Sequence, residues 1–271
     1  MCGIVAATAR REVSEILLEG LRRLEYRGYD SAGIALVDNE RNLQLHKQLG
    51  RVIELERAQV LNPILGCSGI AHTRWATHGE PSVANAHPHL SADRVALVHN
   101  GIIENHNELR EELRSQGYDF SSVSDTEVVV HLLHQQLARG NTLLEAMQNT
   151  VVRLDGAYAL AAIDAQNPQE IVAARKGSPL VIGIGIGENF LASDQMALRQ
   201  VTDRFIYLEE GDVTVVSPTD LQIYDQSGEA VARPTTMISE AVEVADKGEY
   251  EHFMLKEIYQ QPQALRATLG N

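Results

Sequence analysis

The chain reads as an α+β protein whose mostly antiparallel sheets carry helices on their outer faces. Three observations predict this. Short apolar runs recur along the 271 residues, and in the second half they lie close together, joined by turns and not by crossover helices. Helical periodicity is confined to a few segments. Hydrophobic residues make up 44% of the chain, enough for a sizeable core in one large domain or two modest ones.

Residues 2–8 are apolar or small and predict a buried strand. Val13, Ile16, Leu17, Gly20, Leu21 and Leu24 then recur at helical spacing, with Glu12, Glu15, Glu19 and Arg23 on other faces, which predicts an amphipathic helix. A polar, glycine-containing turn over residues 26–31 leads to a second strand around 33–37. Further strands are expected near 68–72, 95–99, 158–163, 170–174, 180–183, 189–192, 205–208, 213–216 and 221–225. Ser124-x-x-Glu127 and Thr142-x-x-Glu145 both fit a capping box and predict two helix starts. From Ala241 the chain turns polar and charged, 249–268 reads as a helix, and no closing strand precedes Gly270-Asn271. That final stretch reads as a linker leading elsewhere. No internal repeat or low-complexity segment is evident.

A formal net charge of −14 and a pI near 5.1 argue against nucleic acid or an anionic membrane as the main partner. Cys2 and Cys67 are the two cysteines, so no disulfide framework is expected and a reducing compartment fits best. No apolar run approaches the ~18–20 residues that span a bilayer. The apolar segment Cys2–Ala9 is too short for a signal core, and Arg10-Arg11 follow it where a signal peptide would place its charge first. A soluble cytoplasmic protein is expected.

Position 2 carries the most chemistry. If Met1 is removed, Cys2 becomes the first residue and combines a thiol nucleophile with an α-amine base. An α-amine has a pKa of roughly 7.7–8.0, so much of it is basic near neutrality. The segment Ala71–Glu80 is the densest polar cluster and reads as a loop closed by Gly79-Glu80-Pro81. In it Arg74 could clamp a carboxylate through a bidentate pair. Trp75, the single tryptophan, could serve as a gate or pack the loop down, and on its own the packing role is favoured. Asn100-Gly101 between apolar runs is a strong hairpin signal, yet the pair also offers a side-chain amide and an unhindered backbone N–H, the parts of an oxyanion hole. Asp125 at a helix start suits a capping role or the binding of a substrate ammonium. Ten histidines invite a metal, but no His-Glu-x-x-His or Cys-x-x-Cys spacing occurs, so no catalytic metal is expected. Gly183, Gly185 and Gly187 lack the spacing and βαβ context of a dinucleotide fingerprint. Cys67 reads as an inert structural thiol.

These segments occur in a familiar order: Met1-Cys2-Gly3-Ile4-Val5, Arg23–Gly33, His72–Glu80, His99-Asn100-Gly101 and Ser124–Glu127. Gly177–Leu180, Ala192-Ser193-Asp194, Leu208–Asp212 and His252–Ile258 continue it. Together they resemble the glutaminase (class II glutamine amidotransferase) domain of the glutamine–fructose-6-phosphate aminotransferases. The resemblance implies a four-layer αββα N-terminal-nucleophile sandwich over residues 2–240, with 241–271 leading to sugar-isomerase domains absent from this chain. It implies hydrolysis of L-glutamine by Cys2, whose α-amine acts as general base, with Asn100 and Gly101 as the oxyanion hole and with no metal or organic cofactor. Arg74, Thr77, His78 and Asp125 would bind glutamine, Trp75 would gate the site, and Arg27 and Gly28 would support it. The ammonia would pass to the isomerase half, which makes glucosamine 6-phosphate. A monomer is expected for this chain and a homodimer for the full-length enzyme. The family commonly has glycine where Ala6 stands. Supply of ammonia to another acceptor, or glutamine binding without turnover, are the alternatives.

Overall fold

The computed structural model describes residues 2–38, 40–75, 80–238, 250 and 253–269. They fall in two compact units, Met1–Met237 and Ile238–Asn271. In the first unit the strands run in chain order as β1 (Gly3–Ala9), β2 (Ser31–Val37), β3 (Leu43–Leu49), β4 (Ser68–Arg74), β5 (His89–Ser91), β6 (Val95–Ile103), β7 (Gly156–Asp164) and β8 (Asn167–Lys176). There follow β9 (Val181–Ile184), β10 (Glu188–Ala192), β11 (Arg204–Tyr207), β12 (Val213–Val216), β13 (Leu221–Tyr224), β14 (Ala230–Val231) and β15 (Thr235–Met237). The helices of this unit are α1 (Ser14–Leu24), α2 (Val52–Leu61), α3 (His106–Ser115), α4 (Asp125–Ala138) and α5 (Leu143–Val151). The second unit holds α6 (Phe253–Leu269). No helix of the described residues is long and apolar enough to cross a membrane.

Among the described residues one sheet has eight strands, ordered β15-β11-β9-β10-β1-β4-β2-β3, and the other seven, ordered β14-β13-β12-β8-β7-β6-β5. The pairings around the site, β1 with β4 and β10, β4 with β2, and β6 with β5 and β7, are all antiparallel. Strand alternation sorts the side chains into layers. Ile4 and Ala6 of β1, Ile70 of β4, Ala96 and Val98 of β6 and Ala161 of β7 share one buried cluster between the sheets. Many of these are alanines, so the two sheets pack closely. Residues one step out of phase, Val95, Leu97, Leu160 and Val172, instead meet Leu109, Val129, Leu133 and Met147 of α3, α4 and α5. On the far side α1 buries Leu17, Leu21 and Leu24, and Gly20 lets it approach β1, since a Cβ there would lie 2.9 Å from Val5 Cγ1. The result is the expected αββα sandwich.

Several local expectations are corrected. Asn100-Gly101 is no hairpin turn: β6 runs straight through it, pairing Asn100 with Ala159 and Gly101 with Tyr158. His72, Thr73 and Arg74 belong to β4 and not to a loop. The Thr142–Glu145 capping box is complete, whereas at α4 only Ser124 caps, accepting from the Thr126 N–H. Glu127 turns away to accept four hydrogen bonds from the backbone and hydroxyls of Ser121 and Ser122.

Candidate active site

Alternation places the polar residues that matter at one end of the space between the sheets. Cys2 precedes β1 in phase with Ile4 and Ala6, and the buried residues Ile70, His72 and Arg74 alternate along β4. Asn100 follows Ala96 and Val98 on β6, while His99 points the other way and meets the Thr126 hydroxyl of α4 at 3.0 Å. Cys2, His72, Arg74 and Asn100 therefore converge from three strands of two sheets.

The Cys2 Sγ lies 3.3 Å from the Trp75 N–H, which donates to it. Asn100 Nδ2 donates to the Cys2 carbonyl at 3.1 Å, and a carboxamide nitrogen carries a second N–H. Gly101 follows with φ 138°, and a Cβ at that position would fall 1.9 Å from the Ala157 carbonyl oxygen, so only glycine fits. Gly28 is needed for close approach: its Cβ would lie 2.8 Å from the Arg74 carbonyl and 2.9 Å from the Trp75 nitrogen. Arg74 is buried, with Nη1 4.0 Å from Asp30 Oδ1. Asp125, the first residue of α4, accepts from the Ile103 N–H at 2.9 Å, which ties it to the end of β6. Arg27 pairs with Asp194 and receives support from the Tyr26 hydroxyl. Trp75 stays 46% exposed, its ring edge-on to Tyr29 at 5.6 Å between centroids. Thr77 and His78 lie outside the described residues.

A glutamine amidotransferase domain family matches residues 72–200. Over 269 residues the chain is 59% identical to the glutamine–fructose-6-phosphate aminotransferase [isomerizing] of Pseudomonas aeruginosa, covering 99% of this chain and 44% of that protein. The chain carries a glutamine amidotransferase domain. The enzyme of the same name from Vibrio parahaemolyticus is 58% identical with the same coverage. The chain thus spans less than half the length of these relatives. Among solved structures, glutamine phosphoribosylpyrophosphate amidotransferase from B. subtilis superposes with a TM-score of 0.72 at 28% identity, covering 84% of this chain and 50% of that one. A glutamine aminotransferase class-II domain protein from Silicibacter pomeroyi shares the fold, with a TM-score of 0.57 at 15% identity and 83% of this chain covered.

In the amidotransferase domain, burial pushes the Cys2 thiol pKa up, and the Trp75 N–H bond only partly offsets this. The resting thiol therefore needs a base before it can attack. Among the described residues no group of three or more His, Cys, Asp or Glu is placed to hold a metal ion. The histidines near the site, His72, His87, His89 and His99, are instead held neutral by burial. Sequence reasoning treated His72 only as a metal candidate. Its Nε2 in fact sits 3.0 Å from both Asn100 Oδ1 and the His99 carbonyl. The spacing Ile70-x-His72-x-Arg74 is the strand signal that could have aimed it inward. Ser193 was also missed: its hydroxyl accepts from the Ile4 N–H and its own N–H donates to the Ile4 carbonyl, both at 3.0 Å, fixing β1 just after the nucleophile.

Proposed function

We propose that this amidotransferase domain, residues 2–240, hydrolyses L-glutamine to L-glutamate and ammonia with Cys2 as nucleophile. With Met1 removed, the Cys2 α-amine takes the thiol proton through a water, and the sulfur attacks the side-chain amide carbon. The carbonyl electrons move to oxygen, where the second Asn100 N–H and the Gly101 N–H stabilise the oxyanion. Collapse expels ammonia, which takes its proton from the α-ammonium, and leaves a thioester. Water, deprotonated by the same amine, then attacks the thioester carbon; the C–S bond breaks, the sulfur takes the proton back from the α-ammonium, and glutamate leaves. Arg74 holds the glutamine carboxylate, Asp125 its ammonium, and Thr77 and His78 line the pocket. Trp75 covers the bound substrate, and Arg27 and Gly28 support that side of the site.

The observation that carries this reading is the approach of Asn100 Nδ2 to the Cys2 backbone, with Gly101 beside it and the thiol at the Trp75 N–H. The 59% identity to a glutamine–fructose-6-phosphate aminotransferase supports fructose 6-phosphate as the final acceptor, aminated by isomerase domains reached through 241–271. In this reading residues 2–240 supply the ammonia for that reaction, act as a monomer on their own, and work in the cytoplasm.

Intact mass spectrometry before and after 6-diazo-5-oxonorleucine, a glutamine-shaped electrophile, tests the reading. A species lacking Met1 should gain one adduct at Cys2, blocked by excess glutamine, and Cys2→Ala should release no glutamate. Glutamate release at the wild-type rate by Cys2→Ala would overturn it.

A further inference from the structure

An oxyanion donor works only if it points the right way, and a carboxamide has two nearly isosteric ends. The contacts around His72 decide which end of Asn100 faces the nucleophile. His72 Nε2 lies 3.0 Å from the His99 carbonyl oxygen, which can only accept, so Nε2 must carry the proton. The same Nε2 lies 3.0 Å from the near end of the Asn100 carboxamide, which must then be the acceptor Oδ1. The far end is therefore the amide nitrogen, directed at Cys2. A flipped Asn100 would set N–H against N–H at His72 and oxygen against oxygen at Cys2.

The imidazole is itself fixed. His72 sits in β4 opposite Ile4 of β1 and Gly33 of β2. It stacks on His87 with ring centroids 4.2 Å apart and planes 27° from parallel. His87 Nδ1 accepts from the His99 N–H at 3.3 Å, so β6 clamps both rings of the stack. The His72 Nδ1 is buried and makes no hydrogen bond, so no acceptor there calls for a proton on that nitrogen.

We propose that His72 is a positioning residue for glutamine hydrolysis: the His99 carbonyl sets its tautomer, and the Nε2–H locks the Asn100 amide toward the oxyanion. The proposal rests on the reading of Asn100 as an oxyanion donor given above. In this role His72 acts through Asn100 alone.

Two amide replacements separate this from packing. Glutamine can place its amide nitrogen where Nε2 stood, and asparagine falls short. His72→Asn should lower kcat for glutamate release about 10- to 100-fold, less than deletion of a donor outright, with KM changed no more than about twofold. His72→Gln should recover most of that loss. Alkylation of Cys2 by iodoacetamide, a displacement that builds no oxyanion, should keep its rate in both variants when read by peptide mass. In an Asn100→Ala background, His72→Asn should cost nothing further. Equal losses in the two amide variants, a parallel fall in alkylation, or an additive loss in the double variant would overturn the proposal. An Asn100→Ala variant with wild-type kcat would instead remove the oxyanion reading beneath it. Nitrogen-15 NMR of the wild-type protein at pH 7 checks the tautomer without any variant. A neutral Nε2–H His72 is expected, and an Nδ1–H or doubly protonated ring would overturn the lock.

Discussion

At the residue scale, the site combines a nucleophile that burial keeps protonated with donors whose directions are set by their neighbours, the β6 backbone for Gly101 and the His72 imidazole for Asn100. Gly101 shows how little freedom remains. Its φ of 138° and the 1.9 Å gap between an added Cβ and the Ala157 oxygen mean that Gly101→Ala must displace β6 from β7. We expect that variant to lose about 2–4 kcal/mol of stability, with kcat falling along with it, as read by urea unfolding and glutamate release. Unchanged unfolding would show that the two strands can part locally. Arg74 differs in kind, because its buried guanidinium can form two parallel bonds to one carboxylate, which an ammonium cannot. Arg74→Lys should therefore raise KM for glutamine about 10- to 100-fold, the loss of one charge-assisted hydrogen bond, while kcat changes less. A fall in kcat at constant KM would assign Arg74 to the chemical step.

At the element scale, the start of α4 is held from outside the helix. Glu127 gathers the N–H and hydroxyl groups of Ser121 and Ser122, and Arg110 donates to the Ser122 and Ser124 carbonyls at 2.8 and 2.6 Å. The turn before Asp125 is thereby rigid. Glu127→Ala should cost about 2–4 kcal/mol in urea unfolding and raise KM by loosening Asp125, whereas Glu127→Gln should retain most of both. Equal KM in the wild type and Glu127→Ala would detach this belt from substrate binding. The same residue marks a limit of sequence reasoning: Ser124-x-x-Glu127 has the capping-box spacing, but the Glu127 carboxylate takes Ser121 and Ser122 in the turn before the helix, and the Ser124 N–H donates to the Ser122 hydroxyl instead. Asn100-Gly101 misled in the same way, since its turn preference is local while the β6–β7 ladder extends to the Ile103–Gly156 pair. β3 was missed because its residues are only half-buried and their alternation is weak, and α2 because only Val52 and Leu55 of its ten residues are buried. α3 hides Leu109 and Leu113 among charged neighbours. The elements read correctly, such as β1, α1, α5 and β12, are those whose burial pattern spans the whole segment. Of the site, Cys2, Arg74, Asn100, Gly101 and Asp125 were legible from their chemistry. His72 was not, because its role depends on a carbonyl of another sheet.

At the scale of the whole molecule, the αββα sandwich buries histidines where many proteins bury only carbon. Burial holds His72 down to about 3, and it lowers His87, His89, His99, His131 and His134 from the ordinary value near 6.5. The unfolded chain takes up these protons at about pH 6.5, whereas the folded protein takes them up only at lower pH, and at much lower pH for His72, His87 and His89. Between those limits the unfolded state binds more protons, so folding stability must drop as pH drops. Each histidine that stays neutral contributes at most about 1.4 kcal/mol per pH unit below 6.5, and for His72 the window runs down to about 3. Glu127, whose pKa lies below the usual carboxylate value despite burial because Ser121 and Ser122 bond to it, adds to the loss in the same direction further down, as pH falls through its folded value. Urea unfolding followed by circular dichroism should therefore show lower stability at pH 5.5 than at pH 7.5, by about 1.4 kcal/mol for each histidine kept neutral. His89→Phe removes one such group, whose Nε2 is buried without a hydrogen bond, and should make the slope shallower by one proton. A flat profile between the two pH values would mean that the sandwich lets its histidines ionise in place, and the neutral stack behind Asn100 would then be lost on mild acidification.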